Sequence, residues 1–178
     1  SQALINSLPG FFYLIDPDGG FVRWNRNLEE FYGYSAEEFT RLKVLDLVAD
    51  KDKERAMIRM QEVLTKGQSS AEVEVISREG KTVPFLFTGV RIDIDNKPYL
   101  IGIGIDISKR KETERHLHIQ YSINKIMAES ADVNETLLKI LQVICEYNGW
   151  GIGEIWSIDR ETDTLRLNTI WHKPSWDV

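Results

Sequence analysis

The sequence predicts an antiparallel α+β domain followed by a long polar helix, and three observations lead there. Two short strand-like runs, a set of short helical segments and three longer strand-like runs succeed one another, an order that suits helices on one face of an antiparallel sheet. The strand-like runs are joined by clusters of turn formers, Asp16-Pro17-Asp18-Gly19-Gly20, Glu79-Gly80-Lys81 and Asp95-Asn96-Lys97, and such short connections give hairpins. Finally, Ile101-Gly102-Ile103-Gly104-Ile105-Asp106-Ile107-Ser108 passes without a spacer into Lys109-Arg110-Lys111-Glu112-Thr113-Glu114-Arg115. The first stretch reads as a buried strand and the second as a charged helix.

Taken in order, residues 3–8 form a short lead-in helix that Pro9-Gly10 ends. Phe11 to Asp16 is a strand, and Phe21-Val22-Arg23-Trp24 returns as its hairpin partner. Asn25 stands where an N-cap belongs for a short helix through Tyr32, which Gly33 ends. Ser35-Ala36-Glu37-Glu38 has the capping-box pattern, and Leu45 to Val48 forms a further turn. Asp50 or Asp52 caps a longer helix with Met57, Met60 and Leu64 on one face, closed by Gly67. Three strands follow at Ala71 to Arg78, Thr82 to Ile94 and Pro98 to Ile107, completing a five-stranded antiparallel sheet.

From Ser108 the helix runs to about Glu129, with Ile119, Ile123 and Ile126 spaced as a short coiled-coil seam. A break falls at Ser130-Ala131-Asp132. Asn134 then caps an amphipathic helix carrying Leu137, Leu138, Ile140, Leu141 and Ile144, which Asn148-Gly149 ends. Gly153 to Ile158 and Leu165 to Trp171 form a last hairpin.

The 178 residues suffice for one sizeable domain and part of another, and 42% hydrophobic with 28% charged residues is ordinary for a globular chain. A net charge of −6 argues against a nucleic-acid surface. No apolar run approaches the ~20 residues that span a bilayer. The single cysteine, Cys145, excludes an internal disulfide framework and suits a reducing compartment. With Ser1 rather than Met at the start and no signal-peptide pattern, a cytoplasmic piece of a longer chain is expected.

Residues 1–108 resemble a PAS domain of the sensory-box type with its C-terminal PAC segment. The features that carry the resemblance are the strand ending at Asp16, the Gly19-Gly20 turn, Trp24-Asn25, Phe31-Tyr32-Gly33-Tyr34-Ser35-Ala36-Glu37-Glu38 and the Arg78-Glu79-Gly80-Lys81 hairpin. The closing Gly104-Ile105-Asp106-Ile107-Ser108 resembles an Asp-Ile-Thr signature, with serine retaining the hydroxyl. Residues 130–178 are similar to the start of a GAF domain, through Cys145-Glu146-Tyr147-Asn148-Gly149-Trp150-Gly151-Ile152-Gly153-Glu154-Ile155-Trp156 and Leu165-Arg166-Leu167. The resemblance implies a PAS fold over 1–108, a signalling helix over 109–129 and a truncated GAF-like helix and hairpin over 130–178. Tandem PAS and GAF modules resemble the input regions of two-component sensors, often histidine kinases.

Cofactor chemistry is constrained by what residues 1–108 hold. They contain no histidine and no cysteine, which argues against His-ligated haem and against a cysteinyl-flavin adduct. Non-covalent flavin stays open, with Trp24, Phe12 and Phe87 as a candidate stacking surface; so does a plain aromatic core. A small-metabolite cavity is the second candidate. Met57 and Met60 approach the sheet, Phe85, Phe87 and Ile103 line its inner face, and Arg23, Asn27, Thr88 and Arg91 offer polar contacts. An occupied pocket and a filled core both suit that pattern. His116 and His118, two apart on a helix, point to nearly opposite sides and cannot chelate one metal ion. The glycines of Gly102-Ile103-Gly104 and Gly149-Trp150-Gly151-Ile152-Gly153 lack the context of a dinucleotide motif, and those in the last strand allow close approach of a backbone or helix. No catalytic constellation appears, so an enzyme is not expected.

The function expected is therefore sensory. A ligand or partner acts on the PAS core, Asp106 and Ser108 couple the last strand to the helix, and the helix relays the change across a homodimer. That dimer forms through the linker helix and the sheet or GAF-like edge, with the output domain outside this chain. The alternative is a ligand-free PAS module for dimerisation and spacing.

Overall fold

The computed structural model describes residues 2–130 and 132–176. It divides into two compact units, residues 1–109 and residues 110–178. Among the described residues no helix is long and apolar enough to cross a membrane.

The first unit runs α1 (Gln2–Asn6), β1 (Phe11–Ile15), β2 (Phe21–Trp24), α2 (Arg26–Tyr32), α3 (Ala36–Phe39), α4 (Lys53–Lys66), β3 (Gln68–Ile76), β4 (Thr82–Ile94) and β5 (Lys97–Asp106). Short 3₁₀ turns at Val44–Leu47 and Asp50–Asp52 lead into α4. The five strands form one antiparallel sheet in the order β2-β1-β5-β4-β3.

Turn chemistry sets the registers. Asp95 and Asn96 both take positive φ, 49° and 60°, the backbone of the two-residue hairpin turn that matches strand twist. Lys97 is therefore the first residue of β5, paired with Ile94, rather than part of the turn. At the β1–β2 turn the Asp16 carboxylate accepts from the N–H groups of Asp18 (2.9 Å) and Gly20 (2.8 Å).

The period-2 alternation of strands puts Phe11, Tyr13 and Ile15 of β1, Val73 and Val75 of β3, Phe85 of β4 and Leu100 of β5 on the buried face. Phe11 stacks on Phe85 with centroids 4.3 Å apart and meets Phe31 edge-on at 5.3 Å. Phe39, wholly buried, packs against Phe21 and Trp24, each at 5.3 Å.

Two residues expected to cap helices with their side chains do something else. Asn25 precedes α2 but makes no side-chain cap; its Oδ1 accepts from Phe12 N–H (3.1 Å) and its Nδ2 donates to the Gly10 carbonyl (2.9 Å). Asp52 precedes α4 likewise without capping it, and its Oδ2 accepts from Glu74 N–H on β3 at 2.8 Å. Both are buried, and both satisfy backbone groups of the neighbouring sheet, which must find partners where water is excluded. The Ser35–Glu38 capping box forms as expected.

In the second unit α5 (Ser108–Glu129), whose first two residues close the first unit, has no fully buried residue, and Ile119, Ile123 and Ile126 are half-buried. Ala131, placed at the expected break, lies outside the described residues. Asp132 rather than Asn134 caps α6 (Val133–Asn148), its Oδ1 accepting from Asn134 N–H at 3.0 Å. β6 (Ile152–Asp159) and β7 (Thr164–His172) pair antiparallel, and α6 packs on them through buried Leu141 and Cys145 beside Gly153.

Candidate functional site

The inner face of the sheet, α2 and α4 enclose a cavity of about 70 Å³. The sheet contributes Tyr13, Ser69, Ala71, Phe87, Gly89 and Leu100, α2 contributes Leu28 and Tyr32, and α4 contributes Ala56, Arg59, Met60 and Val63. Ala56, Met60 and Val63 follow the i, i+4, i+7 spacing of one helical face. The cavity reaches the surface between α4 and β3, where Arg59 and Ser70 are exposed.

Glycines on the adjoining strands shape this space. A Cβ at Gly102 would collide with the Tyr13 hydroxyl, and one at Gly104 with the Phe87 ring. The glycines of β5 thus admit aromatic side chains, and a Cβ at Gly102 would also meet the Thr88 carbonyl oxygen of β4 at 2.7 Å, so the expected close approach of a backbone holds in part. Tyr13 and Tyr32 are both buried, and burial raises the pKa of each phenol, with Tyr13 adding to the rise at Tyr32.

A family profile described as PAS fold matches residues 5–112. The chain belongs to the PAS family. Solved structures similar to its PAS domain include the PAS domain of a protein from Colwellia psychrerythraea, 24% identical with a TM-score of 0.54, the match covering 60% of this chain and 93% of that one. Another is a domain of the sensory box sensor histidine kinase/response regulator from Geobacter sulfurreducens, at 20% identity and a TM-score of 0.51 over 59% and 90% of the two chains. Among curated proteins, the methyl sulfide methyltransferase-associated sensor of Methanosarcina acetivorans is 22% identical over 114 residues, or 64% of this chain. The chain spans 11% of that relative's length.

Of the nine residues singled out for ligand contact, the PAS domain brings Met60 and Phe87 to the cavity. Phe85 is buried in the core beside it, stacked on Phe11. Phe12, Thr88 and Ile103 (42% exposed) lie on the opposite face of the sheet, because each is one residue out of step with the buried alternation. Met57, 46% exposed, is turned away from the face that Ala56, Met60 and Val63 present. Asn27 ties the lead-in segment down through the carbonyls of Leu8 (3.2 Å) and Gly10 (2.7 Å). Trp24 stacks on Phe39 and donates its indole N–H to Glu29 at 2.8 Å. Of the other polar candidates, Arg23 reaches Gln2 and Arg91 holds the Leu64 carbonyl and Asp93.

Trp24, Phe12 and Phe87 therefore share no stacking surface. The cavity is also several-fold smaller than the ~300–1,000 Å³ of a drug-sized site, so a flavin does not fit it. Tyr13, Tyr32 and Val63, which also line the cavity, are not among those nine. Tyr13 was readable from its alternation with Phe11 and Ile15; Tyr32, at a helix end, carried no such signal. His116 and His118 are exposed on α5. Burial pushes the Cys145 thiol up.

Beside the cavity opening, Glu62 accepts from Lys66 (2.9 Å), Arg59 (2.7 Å) and Ser69 (2.8 Å), which hold its carboxyl at about 2, below the usual 4.5. A depressed carboxylate contributes stability above its unfolded value and loses it as pH falls through the folded one. Melting temperature should therefore fall between pH 4.5 and about 2, and less steeply in Glu62→Gln. Parallel melting curves of the two proteins over that range would show that Glu62 contributes nothing to acid sensitivity.

Proposed function

We propose that the PAS domain is the sensory part of a signal-transduction protein: a small ligand in the core cavity shifts the sheet, and α5 relays the shift across a homodimer to an output region beyond this chain. The observation that carries the reading is the continuity of β5 with α5. Ile107, buried between them, donates its N–H to the Pro84 carbonyl of β4 at 3.0 Å, and Asp106 Oδ1 accepts from Ser108 N–H at 2.8 Å. A change in the sheet therefore meets the first turn of the helix without a flexible spacer. The acceptor at this junction is the Asp106 carboxylate; Ser108 contributes its backbone N–H and is the first residue of the helix.

In this reading residues 109–129 are the signalling helix and residues 130–178 the opening of a GAF-like domain, whose helix-then-hairpin order α6, β6 and β7 follow. A cytoplasmic, non-enzymatic input module of a two-component histidine kinase is the context we favour, by analogy with the sensor proteins similar to it.

A second reading, a ligand-free dimerisation and spacing module, draws on the outer face of the sheet, where Val90, Ile103 and Ile105 are exposed. Native mass spectrometry with an absorption spectrum separates the two. A co-purifying small molecule supports sensing, and a clean apo mass with a tight dimer supports the rival. For the coupling itself, Asp106→Ala in the full-length protein is expected to leave the fold intact, since the bond is exposed and worth about 1 kcal/mol, and to uncouple output from stimulus. A normal stimulus response in that variant would remove Asp106 from the relay.

A further inference from the structure

Two phenol hydroxyls face the PAS cavity. Tyr13 is 8% exposed and Tyr32 3%, and both line the cavity. Among the described residues neither hydroxyl makes a hydrogen bond to protein. Nor is any buried side-chain oxygen or nitrogen that is sealed from open space left without a partner there. Both hydroxyls must therefore reach open space, and the space they share is the cavity.

A buried hydroxyl without a partner is destabilising, and native cores rarely leave one so. Burial keeps both phenols protonated, so each remains a donor as well as an acceptor. The charged residue in the lining, Arg59, has its guanidinium on Glu62 at 2.7 Å. Ser69 and Ser70 stand on the β3 side, Ser69 on Glu62 at 2.8 Å, and the other walls are mostly apolar side chains such as Met60, Val63, Phe87 and Leu100. An ion there would find no free countercharge, and an uncompensated buried ion is costly. A single water would have the two phenols, the low end of the two to four partners it takes, and would leave the apolar walls of the cavity without contact.

We propose that this cavity takes a small uncharged molecule of a few non-hydrogen atoms, an alcohol or carbonyl compound, with its oxygen held between the Tyr13 and Tyr32 hydroxyls and its alkyl part against Met60, Phe87 and Leu100. The proposal rests on the reading of the cavity as the sensory site. It adds a ligand class and two residues that select it.

The test uses the whole chain with three probes: 1-propanol, propionate and xenon. Amide shifts of Ala71, Val73 and Gly89 should saturate with 1-propanol, and propionate should bind at least about ten-fold more weakly. Tyr13→Phe and Tyr32→Phe should each weaken 1-propanol about five-fold while xenon still enters, which shows that the variants fold and keep the cavity. Xenon entry with 1-propanol affinity unchanged in both variants overturns the role of the hydroxyls and leaves the sensory reading standing. Equal binding of propionate overturns the uncharged class. If neither xenon nor 1-propanol enters the natural protein, the sensory cavity itself falls, and this proposal with it.

Discussion

Phe11→Ala is expected to lower the unfolding free energy of the PAS domain by about 3–5 kcal/mol. Phe11 is buried at the end of β1, a strand hydrogen-bonded to β2 on one side and β5 on the other. Its ring touches four others: stacked on Phe85, edge-on to Phe31, and tilted against Tyr32 and Phe87 at 5.6 and 6.3 Å. Removing it strips contacts from both layers at once, and the rings around it are themselves buried or half-buried, so the site collapses poorly. Phe11→Leu retains most of the apolar volume and should cost less than half as much. Urea denaturation should show the midpoint moving with m unchanged. A loss below about 1 kcal/mol for Phe11→Ala would show that the aromatic cluster repacks without it.

Asn25→Asp is expected to convert a pH-insensitive tie into a pH-sensitive one. The amide accepts from Phe12 N–H and donates to the Gly10 carbonyl, which Asn27 also contacts. A neutral carboxylic acid can reproduce both bonds of Asn25. An ionised one sets a carboxylate oxygen against the Gly10 carbonyl oxygen in a fully buried position, so the folded-state pKa rises above the ~3.9 of an unfolded aspartate. A raised pKa means that stability is complete below the unfolded value and is lost as pH rises through the folded one. Relative to the natural protein at the same pH, the variant should be close to native near pH 4 and about 2–4 kcal/mol less stable at pH 7.5. Comparison at each pH cancels the acid sensitivity that Glu62 brings. A difference between the two proteins that does not change with pH would refute the assignment.

Much of the fold is legible because it is local. Asp95-Asn96, Gly80 and Gly67 announce their turns or helix ends through backbone conformations that few residues adopt. The Ser35–Glu38 box acts over a single helical turn. Strand alternation makes Phe11, Tyr13 and Ile15 one face from spacing alone. The cavity was less legible. Met57 and Met60 look equivalent in sequence, yet α4 settles with Ala56 and Val63 inward, because its rotation is chosen by what the sheet presents. Ile103 reads as core on hydrophobicity and lies outside because its alternation follows Gly102 and Gly104, whose missing side chains leave room for the rings of Tyr13 and Phe87. Asn25 and Asp52 read as helix caps, since the rule for caps knows the next three residues and nothing of a strand brought alongside.

By itself, then, the sequence determined the class of the PAS domain, its turns, most of its element boundaries and the abrupt passage from β5 into α5. These depend on interactions within a few residues, where side-chain chemistry and allowed backbone angles suffice. Only the tertiary structure decided which residues meet at the cavity. Tyr13 and Tyr32 are nineteen positions apart, and neither spacing nor composition says that two phenols from a strand and a helix end will share one small space. That depends on how α2 and α4 lie across the sheet, which is set by the packing of the whole core.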